Sequence, residues 1–317
     1  MIKLSPEFDL IARHFTRPAK NAVLGVGDDC ALVDVSNGMD LAVSTDTMVS
    51  GTHFFPDVDP ETLGHKALAV NLSDMAAMGA MPYWATLALT VPDVNHEWLA
   101  KFAKGFFDLA EEFGVSLIGG DTTRGPLTMT VTIMGEVPAG ASLRRSGAKA
   151  GNDIWVSGNL GGAALAAAHR RGVVKPAEGD SMEAVMRLYE PIPRVKLGQA
   201  LRGLATSAID ISDGLLSDLG HICALSKVGA TVECERLPVS AIGAKHVDTP
   251  AGHGGVKEWH GPAPASARDS IEDLTEVLGV PLTRIGEIRK GKGVSLLGED
   301  DKPIAIDGRG FDHFTAA

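Results

Sequence analysis

The sequence predicts a mixed α/β fold in two domains. Short apolar runs of strand character alternate along the chain with longer segments of helical periodicity, which is typical of mixed α/β proteins. The 317 residues are enough for two domains of ordinary size. Pro138-Ala139-Gly140 is a cluster of turn-forming residues between the two halves. We therefore place the domains at residues 1–138 and 139–317.

The first half opens with a predicted helix over residues 5–16, in which Ser5 is the N-cap and Pro6 takes the first helical position. The apolar face of this helix is predicted to comprise Phe8, Ile11, Ala12 and Phe15. Short apolar runs predict strands at residues 22–26, 30–35, 40–46, 84–91, 115–119 and 127–137. Helical periodicity predicts helices at about 61–78 and 97–113, each ended by a glycine.

In the second half, apolar runs predict strands at residues 153–157, 207–211, 283–288 and 294–297. Helices are predicted after Gly158–Gly162, at about 195–204, after Ser212-Asp213-Gly214 and at 270–278. The helix after Gly214 is predicted to turn five residues toward the core: Leu215, Leu216, Leu219, Ile222 and Leu225. Residues 241–268 are rich in glycine and proline without a period, which predicts an irregular loop.

The composition narrows the function classes. A net charge of −11 argues against nucleic acid or an anionic membrane as the main partner. No apolar run approaches the roughly 18 residues of a membrane span. The three cysteines include no C-x-x-C pair, which indicates a reducing compartment without a disulfide or zinc framework. The chain begins without a signal-peptide pattern, so we expect a cytoplasmic protein.

Carboxylates lie at the ends of apolar runs or inside them. Asp29, Asp46 and Asp121 each follow an apolar run, and Asp74 lies inside an otherwise apolar helix. A carboxylate withdrawn from water needs compensation of several kcal/mol, and a shared divalent cation supplies it for several at once. Ligands that are all oxygen atoms favour Mg2+ or Mn2+. The pattern predicts a multi-Mg2+ site for a polyphosphate, although turn chemistry would explain any one aspartate alone.

The spacing of neighbouring polar residues would allow their side chains to converge on one metal site. Asn71 and Asp74 are three apart and share a helix face, whereas Ser44 and Asp46 are two apart and share a strand face. A second acidic turn, Asp210-Ile211-Ser212-Asp213-Gly214, opens a helix, and helix N-termini bind phosphate or metal-bound phosphate. N-capping would explain Ser212 or Asp213 without a ligand, but it does not explain Asp210 as well.

Arg144 and Arg145 form a basic loop in an acidic protein. An arginine fork can bind phosphate during phosphoryl transfer, but a solvated loop is an equally good reading of the sequence. His53 is a lone histidine that indicates nothing without context. The chain has no G-x-x-x-x-G-K-[ST] loop and no G-x-G-x-x-G after a strand, so a phosphate-binding protein of this kind needs another device, and metal is the obvious one.

Several motifs in this order resemble the bacterial thiamine-monophosphate kinases, within the superfamily of aminoimidazole ribonucleotide synthetase. The resemblance covers most of the chain. The motifs that carry it are Gly27-Asp28-Asp29-Cys30, Ser44-Thr45-Asp46-Thr47, Gly51-Thr52-His53-Phe54, Asn71-Leu72-Ser73-Asp74, Ile118-Gly119-Gly120-Asp121, Arg145-Ser146-Gly147, Ile209-Asp210-Ile211-Ser212-Asp213-Gly214 and Gly308-Arg309-Gly310-Phe311.

The resemblance implies ATP-dependent phosphorylation of thiamine phosphate to thiamine diphosphate with several Mg2+ ions. It implies a homodimer, an N-terminal domain of a mixed sheet with helices used for dimerisation, and a C-terminal α/β sandwich that completes the site. The implied metal ligands are Asp29, Ser44, Thr45, Asp46, Asp74, Asp121, Asp210 and Asp213. The implied ATP contacts are Gly120, Asp121, Arg145 and Ser212, and the implied substrate contacts are His53 and Phe311. The implied catalytic residues are Asp46, Asp74, Asp121 and Arg145.

The sequence departs from the family in places. Lys104 stands where the family often has an aromatic ATP contact, and Phe311 stands where a tyrosine is usual. The family's Gly-Gly-Asp/Glu-Asp-Tyr-Glu-Leu strand, whose acidic residue contacts substrate, has no counterpart, and residues 251–266 stand in its place. Two other functions therefore stay open: another ATP-using enzyme of the superfamily, such as a cyclo-ligase, and a catalytically inactive nucleotide-binding protein.

Overall fold

The computed structural model describes residues 6–175, 188–240, 259–298 and 300–304. The chain forms two compact units, the first comprising Met1–Met75 and Ala80–Gly140 and the second Ala76–Gly79 and Ala141–Ala317. Each unit contains one sheet with helices, so the predicted mixed α/β class is confirmed. None of the helices in the described ranges combines the length and the apolar character needed to cross a bilayer.

From residue 6 onward, the first unit contains three helices and four strands. They are α1 (Pro6–His14), β1 (Met39–Val49), α2 (Pro60–Ala77), β2 (Met81–Val91), α3 (His96–Glu112), β3 (Ser116–Arg124) and β4 (Thr128–Pro138). The sheet order is β1-β4-β2-β3, with β2 and β3 parallel and the other neighbours antiparallel. The sheet is therefore mixed, and β1 and β3 are its two edges.

The two faces of this sheet differ. Met129, Val131 and Ile133 of β4 are buried on one face, which is the face that contacts α2 through β1. The alternate residues form an open face, where Thr45 bonds Thr132 at 2.9 Å and Thr47 bonds Thr130 at 2.8 Å, both through their hydroxyls. The strand alternation of period two thus separates a packed face from a threonine-rich exposed face.

Two expectations for the N-terminal region are wrong. Residues 22–26 and 30–35 form isolated bridges, including Leu24 with Leu32, instead of strands. This segment is mostly exposed and is interrupted by glycines and by Asp28 and Asp29, so no ladder develops. On α1, Phe8 is 60% exposed, and Leu10 is the buried residue of the helix. Leu10 therefore belongs to the buried face, and Phe15 packs against Phe102 just after the helix ends.

The second unit contains seven strands and four helices in the described ranges. They are β5 (Asn152–Ser157), α4 (Gly162–Arg170), α5 (Val195–Ala200), β6 (Ile209–Asp210), α6 (Leu215–Ser226), β7 (Gly229–Glu233), β8 (Trp259–Pro264), α7 (Arg268–Leu278), β9 (Leu282–Arg289), β10 (Gly293–Leu297) and β11 (Pro303–Ile304). Short 3-10 turns lie at Cys234–Arg236 and Ala265–Ala267. The sheet order is β11-β10-β7-β9-β5-β8-β6.

Helix α6 packs on this sheet through the apolar face that the sequence predicts, with one exception. Leu215, Leu219 and Ile222 are buried together with Ile285 and other strand residues. Leu225, which was expected on the same face, is 58% exposed. The helix ends at Ser226, so Leu225 lies in its last turn, where the chain turns toward β7.

The expectation that residues 241–268 form an irregular loop is wrong for their last part; residues 241–258 lie outside the described residues. Strand β8 pairs with β5 along its length and with β6 at its start. The Pro262 carbonyl accepts the Thr206 N–H at 2.9 Å, so Pro262 faces away from β5. Pro264, two residues later, faces the same way. The missing proline N–H groups therefore remove no hydrogen bond to β5, and proline is tolerated here because β6 pairs only with the first two residues of β8.

Candidate functional site

A cluster of oxygen atoms joins β1 to α2 in the first unit. The Ser44 hydroxyl donates a hydrogen bond of 2.6 Å to the Asp74 carboxylate. The backbone N–H of Asp46 donates to the Asn71 side-chain oxygen at 3.2 Å, and the Asn71 amide donates to the Ala67 carbonyl at 3.0 Å. The structure thus brings together the two pairs that the sequence spacing predicts to share a helix face and a strand face.

Asp74 is the half-buried carboxylate of an otherwise buried helix. Leu68, Leu72 and Met75 around it are at most 1% exposed. Apolar residues on all sides of α2 explain why the helix stays packed, and the Ser44 hydroxyl gives the carboxylate one donor. The cluster presents the oxygen atoms of Ser44 and Asp74, which suit Mg2+ in kind, and Asp46 follows Ser44 on the same strand face.

Asp121 lies on the opposite edge of the same sheet. Asp46 is in register with Val131, Leu87 and then Gly120 across the four strands. Three strand spacings of about 4.8 Å separate the two edges by about 14 Å. Because Asp121 is next to Gly120 on β3, its side chain points to the opposite face from that of Asp46. One copy of this sheet does not bring Asp46 and Asp121 to the same ion.

Other acidic residues of the first unit are also dispersed. Asp29 is exposed, and its N–H donates to the Asp28 carboxylate at 2.9 Å. Among the described residues, no group of three or more His, Cys, Asp or Glu side chains is close enough to hold a metal ion. Within the first unit, the β1–α2 cluster is the part of the predicted site that the described residues bring together.

Gly120 has a backbone that only glycine adopts without strain. Its φ is +152°, and a Cβ atom there would lie 1.9 Å from the Leu87 carbonyl oxygen. The chain therefore approaches β2 closely just before Asp121. A glycine at this position fixes the path of the edge strand and the exposed position of Asp121.

His53 is held by the turn that follows β1. The Val49 N–H donates to Nδ1 of His53 at 2.9 Å, and the His53 N–H donates back to the Val49 carbonyl at 3.0 Å. Lys66 of α2 donates to the His53 carbonyl at 3.3 Å. Since Nδ1 accepts a backbone hydrogen bond, the imidazole carries its proton on Nε2.

The acidic turn of the second unit is organised by a residue that the sequence reasoning missed. The turn holds Asp210, which is buried, and Asp213, which is half-buried. Asp218 is 1% exposed, and its Oδ2 accepts the N–H groups of Ser212, Asp213 and Gly214 at 2.8, 3.2 and 3.2 Å. Three backbone donors thus converge on one carboxylate oxygen.

The protonation of Asp218 reflects opposing effects. Burial, as the largest effect, raises the pKa of Asp218 to about 6, and the negative charges of Asp213 and Asp210 raise it as well, whereas the backbone N–H groups lower it. The sequence contains a signal for this residue. Leu215, Asp218 and Ile222 follow helical spacing, which places an aspartate on the core face of α6.

The basic loop is fixed through its backbone, and its arginine side chains are exposed. The Arg144 carbonyl accepts the Ala208 N–H at 3.0 Å. The Arg145 carbonyl accepts the Ser226 hydroxyl at 3.2 Å, and the same hydroxyl accepts the N–H groups of Gly147 and Ala148, each at 3.1 Å. The sequence reasoning also missed Ser226, because a serine in the last turn of a helix has no distinctive pattern.

The remaining predicted contacts are placed as follows. Thr45 is exposed on the open face of β1 and bonds Thr132. Lys104 forms ion pairs with Glu61 and Asp108 at 2.5 and 2.9 Å, and the hydrogen bonds that its ammonium group donates to both carboxylates raise its pKa. Phe311 and the motif at 308–314 lie outside the described residues.

Comparisons with known proteins match both units. A family model described as AIR synthase related protein, N-terminal domain, matches residues 27–137, and the corresponding C-terminal domain model matches residues 149–299. The thiamine-monophosphate kinase of Escherichia coli K12 is 46% identical over 319 aligned positions, covering 97% of this chain and 98% of that protein.

Two solved structures extend the comparison. The crystal structure of thiamine-monophosphate kinase from Stenotrophomonas maltophilia K279a has a TM-score of 0.82 and 44% identity, and covers 91% of this chain and 94% of that one. The AaThiL complex with AMPPCP and TMP has a TM-score of 0.76 and 26% identity, and covers 91% of this chain and 92% of that one.

These matches define the class first: the chain is a two-domain protein of the AIR synthase-related type. Within that class it belongs to the thiamine-monophosphate kinase family, since identity of 46% extends over nearly the full length of both chains. The family resemblance inferred from the motifs is therefore confirmed.

Proposed function

We propose that this protein transfers the γ-phosphate of ATP directly to thiamine phosphate and forms thiamine diphosphate. The observation that carries the proposal is the pair of contacts between β1 and α2, from the Ser44 hydroxyl to the Asp74 carboxylate and from the Asp46 N–H to the Asn71 side chain, in a chain of this family. The AaThiL complex with AMPPCP and TMP supports the choice of an ATP-type nucleotide and a phosphorylated acceptor.

The acceptor chemistry explains why no general base is needed. A phosphate monoester has a second pKa of about 6, so it is largely a dianion at pH 7. The main difficulty is the approach of two polyanions, and the chemistry that Mg2+ supplies when bound is neutralisation and alignment of these phosphates. We assign Ser44, Asp46 and Asp74 to hold the metal, together with the other predicted ligands Asp29, Thr45, Asp121, Asp210 and Asp213.

We assign the nucleotide contacts to Gly120, Arg145 and Ser212. Arg145 is exposed and its backbone is fixed, so the guanidinium can form a two-pronged contact with phosphate. Ser212 lies in the turn ahead of α6 and is exposed, so its hydroxyl can reach a nucleotide while its N–H is held by Asp218. We assign His53 to bind the acceptor through Nε2–H, because its Nδ1 is engaged by Val49, and Phe311 to stack on the thiamine.

We further propose that the active form is a homodimer. Asp46 and Asp121 lie on opposite edges of the sheet, so they meet at one ion only if Asp121 of the partner subunit takes part. The open face exposes Leu41 and Val43, at 44% and 55%, and an exposed apolar patch of this kind is typical of an interaction surface. A second copy covering this face would bury the exposed Leu41 and Val43 side chains.

The direct test is a product assay with purified protein, ATP, MgCl2 and thiamine phosphate. We expect equal amounts of ADP and thiamine diphosphate, and no ATP consumption with formylglycinamidine ribonucleotide as the alternative acceptor. ATP consumption with the second acceptor alone would replace the proposal by a cyclo-ligase. Binding of Mg2+–AMPPCP without product from either acceptor would support an inactive nucleotide-binding protein.

A further inference from the structure

Helix α6 contacts both predicted phosphate-binding loops of the second unit, one at each end. Its first turn carries Asp218, and its last residue is Ser226. Between them the helix is anchored in the core by Leu219 and Ile222, both 0% exposed. A helix rises 1.5 Å per residue, so the eight-residue interval separates the two side chains by about 12 Å along a rigid rod.

At the N-terminal end, Asp218 determines the conformation of the acidic turn. Its single Oδ2 atom collects three successive N–H groups, those of Ser212, Asp213 and Gly214. These donors would otherwise be free to turn toward solvent or a ligand. The convergence fixes the backbone on which the Asp213 carboxylate and the Ser212 hydroxyl are mounted.

At the C-terminal end, Ser226 determines the conformation of the basic loop. One hydroxyl donates to the Arg145 carbonyl and accepts from the N–H groups of Gly147 and Ala148. Gly147 has a φ of +127°, and a Cβ atom there would lie 2.4 Å from the Thr206 carbonyl oxygen. The loop is thus held in a tight path that exposes the Arg145 side chain.

We propose that α6 is the positioning element of the second unit, with Asp218 and Ser226 as positioning residues for the acidic turn and for Arg145. The proposal rests on the proposed function, because the two loops carry its metal and nucleotide contacts. Neither Asp218 nor Ser226 contacts a reactant itself. Each acts through the backbone of the loop that it holds.

The test uses Asp218→Asn and Ser226→Ala in the full chain, with Ile222→Val as the matched control on the same helix. Ile222 is buried in the same core but bonds neither loop, so it reports what weaker packing alone does. Ser226→Thr retains the hydroxyl and is the rescue variant. Measurements are amide hydrogen exchange, calorimetric titration with Mg2+–AMPPCP, and steady-state kinetics.

For Asp218→Asn we expect faster exchange at residues 212–214 and a fall in kcat of about 100-fold, the scale of a small misplacement of reacting groups. For Ser226→Ala we expect faster exchange at 147–148 and weaker Mg2+–AMPPCP binding by about 10-fold, the scale of a lost hydrogen bond to a charged or buried group. Ser226→Thr should restore both readouts.

The positioning role is overturned if Asp218→Asn and Ser226→Ala show the same kinetics and the same hydrogen exchange as Ile222→Val. The same holds if exchange increases evenly over the whole unit. A wild-type protein that binds Mg2+–AMPPCP but makes no thiamine diphosphate would overturn the proposed function alone, and the binding and exchange readouts would still decide the role of α6. A wild-type protein that binds no Mg2+–AMPPCP would overturn both.

Discussion

The hydrogen bond between Ser44 and Asp74 joins a strand to a helix at the point where a carboxylate lies among buried apolar side chains. Such a carboxylate is poorly solvated and gains strongly from a cation. We expect Asp74→Asn and Asp46→Asn to lower kcat by about 100-fold or more, because each removes a negative charge from a proposed metal ligand. Purified variants assayed at saturating ATP and thiamine phosphate test this.

Asp40→Asn is the matched control for these variants. Asp40 also lies on β1, two residues before Ala42, and its side chain is exposed. It is on the same face of the strand as Asp46. It should retain full turnover and an unchanged urea midpoint. Near-normal turnover in both Asp46→Asn and Asp74→Asn would contradict their assignment as metal ligands. Loss of the far-UV circular dichroism signal would show instead that the substitutions disrupt the fold.

A second residue-scale prediction concerns Asp153, a buried carboxylate of β5. Arg268 bonds it at 2.5 and 2.7 Å, and Arg284 at 2.6 Å. Burial alone would raise the pKa of Asp153, but these hydrogen bonds and charges outweigh burial and hold it below the usual 3.8. A lowered pKa in the folded state stabilises the protein above about pH 4, and this contribution is lost as the pH falls through the lowered pKa.

We therefore expect Asp153→Asn to reduce the free energy of unfolding by about 2 kcal/mol at pH 7. The difference from the wild type should narrow as the pH falls below about 4. Urea titrations between pH 3 and pH 7 measure it. A difference that stays constant over this range would show that the carboxylate charge contributes nothing to stability.

Individual residues were predictable from sequence where spacing and burial gave the same indication. Asp74 interrupts an apolar helix and shares a helix face with Asn71, and Ser44 shares a strand face with Asp46. These two periodicities indicated which side chains could converge, and the Ser44–Asp74 hydrogen bond shows one such contact. Asp218 and Ser226 act through backbone groups of loops, and such contacts depend on where the chain turns back. The sequence also gave no indication that Asp153 would meet Arg268 and Arg284, because these residues are more than a hundred positions apart.

At the scale of an element, the edge strand β3 depends on Gly120. Replacing it with alanine adds a Cβ atom 1.9 Å from the Leu87 carbonyl oxygen at a φ of +152°. We expect Gly120→Ala to lower the free energy of unfolding by more than about 2 kcal/mol. Gly119→Ala is the control, since its Cβ would meet only the Thr86 methyl group at 3.9 Å, and it should cost less than about 1 kcal/mol. Equal effects in urea denaturation would contradict this account.

Strand β8 shows how local composition can mislead. Its glycine and two prolines predicted a loop. The backbone groups of both prolines point away from β5, and on that side the Thr206 N–H donates to the Pro262 carbonyl. We expect the amides of Gly261 and Ala263, which face β5, to exchange slowly with deuterium because each pairs with that strand. The amide of Gly291, in the turn between β9 and β10, should exchange quickly. Rapid exchange at all three positions would mean that β8 is not formed.

For the whole molecule, the proposed dimer makes the sharpest prediction. Val43→Lys places a charge on the open face of the first unit, where Val43 is 55% exposed. We expect this variant to run as a monomer in light scattering and to lose kinase activity, because burying an unpaired charge opposes association. Val277→Lys changes a more exposed valine, at 76%, on α7 of the second unit, and this variant should remain dimeric and active. Monomeric wild-type protein with full activity would refute the dimer.

The fold as a whole was more predictable than its details. Alternating strands and helices indicated the mixed α/β class, and most long elements begin and end close to the expected residues, such as α2 at Pro60–Ala77 and α3 at His96–Glu112. The order of the strands in each sheet could not be predicted from the sequence, because neighbouring strands come from segments that are far apart along the chain. That order places Asp46 and Asp121 on opposite edges, which is why one copy leaves the predicted metal ligands apart.

The threonine pairs on the open face have a consequence for how easily that face can be dehydrated. A lone hydroxyl stripped of water loses about 1–3 kcal/mol, which would penalise any lid over a polar surface. In each pair, Thr45 with Thr132 and Thr47 with Thr130, one hydroxyl already donates to the other. Covering this face therefore leaves one O–H donor per pair to be satisfied instead of two, which halves the number of polar partners that an incoming surface must supply.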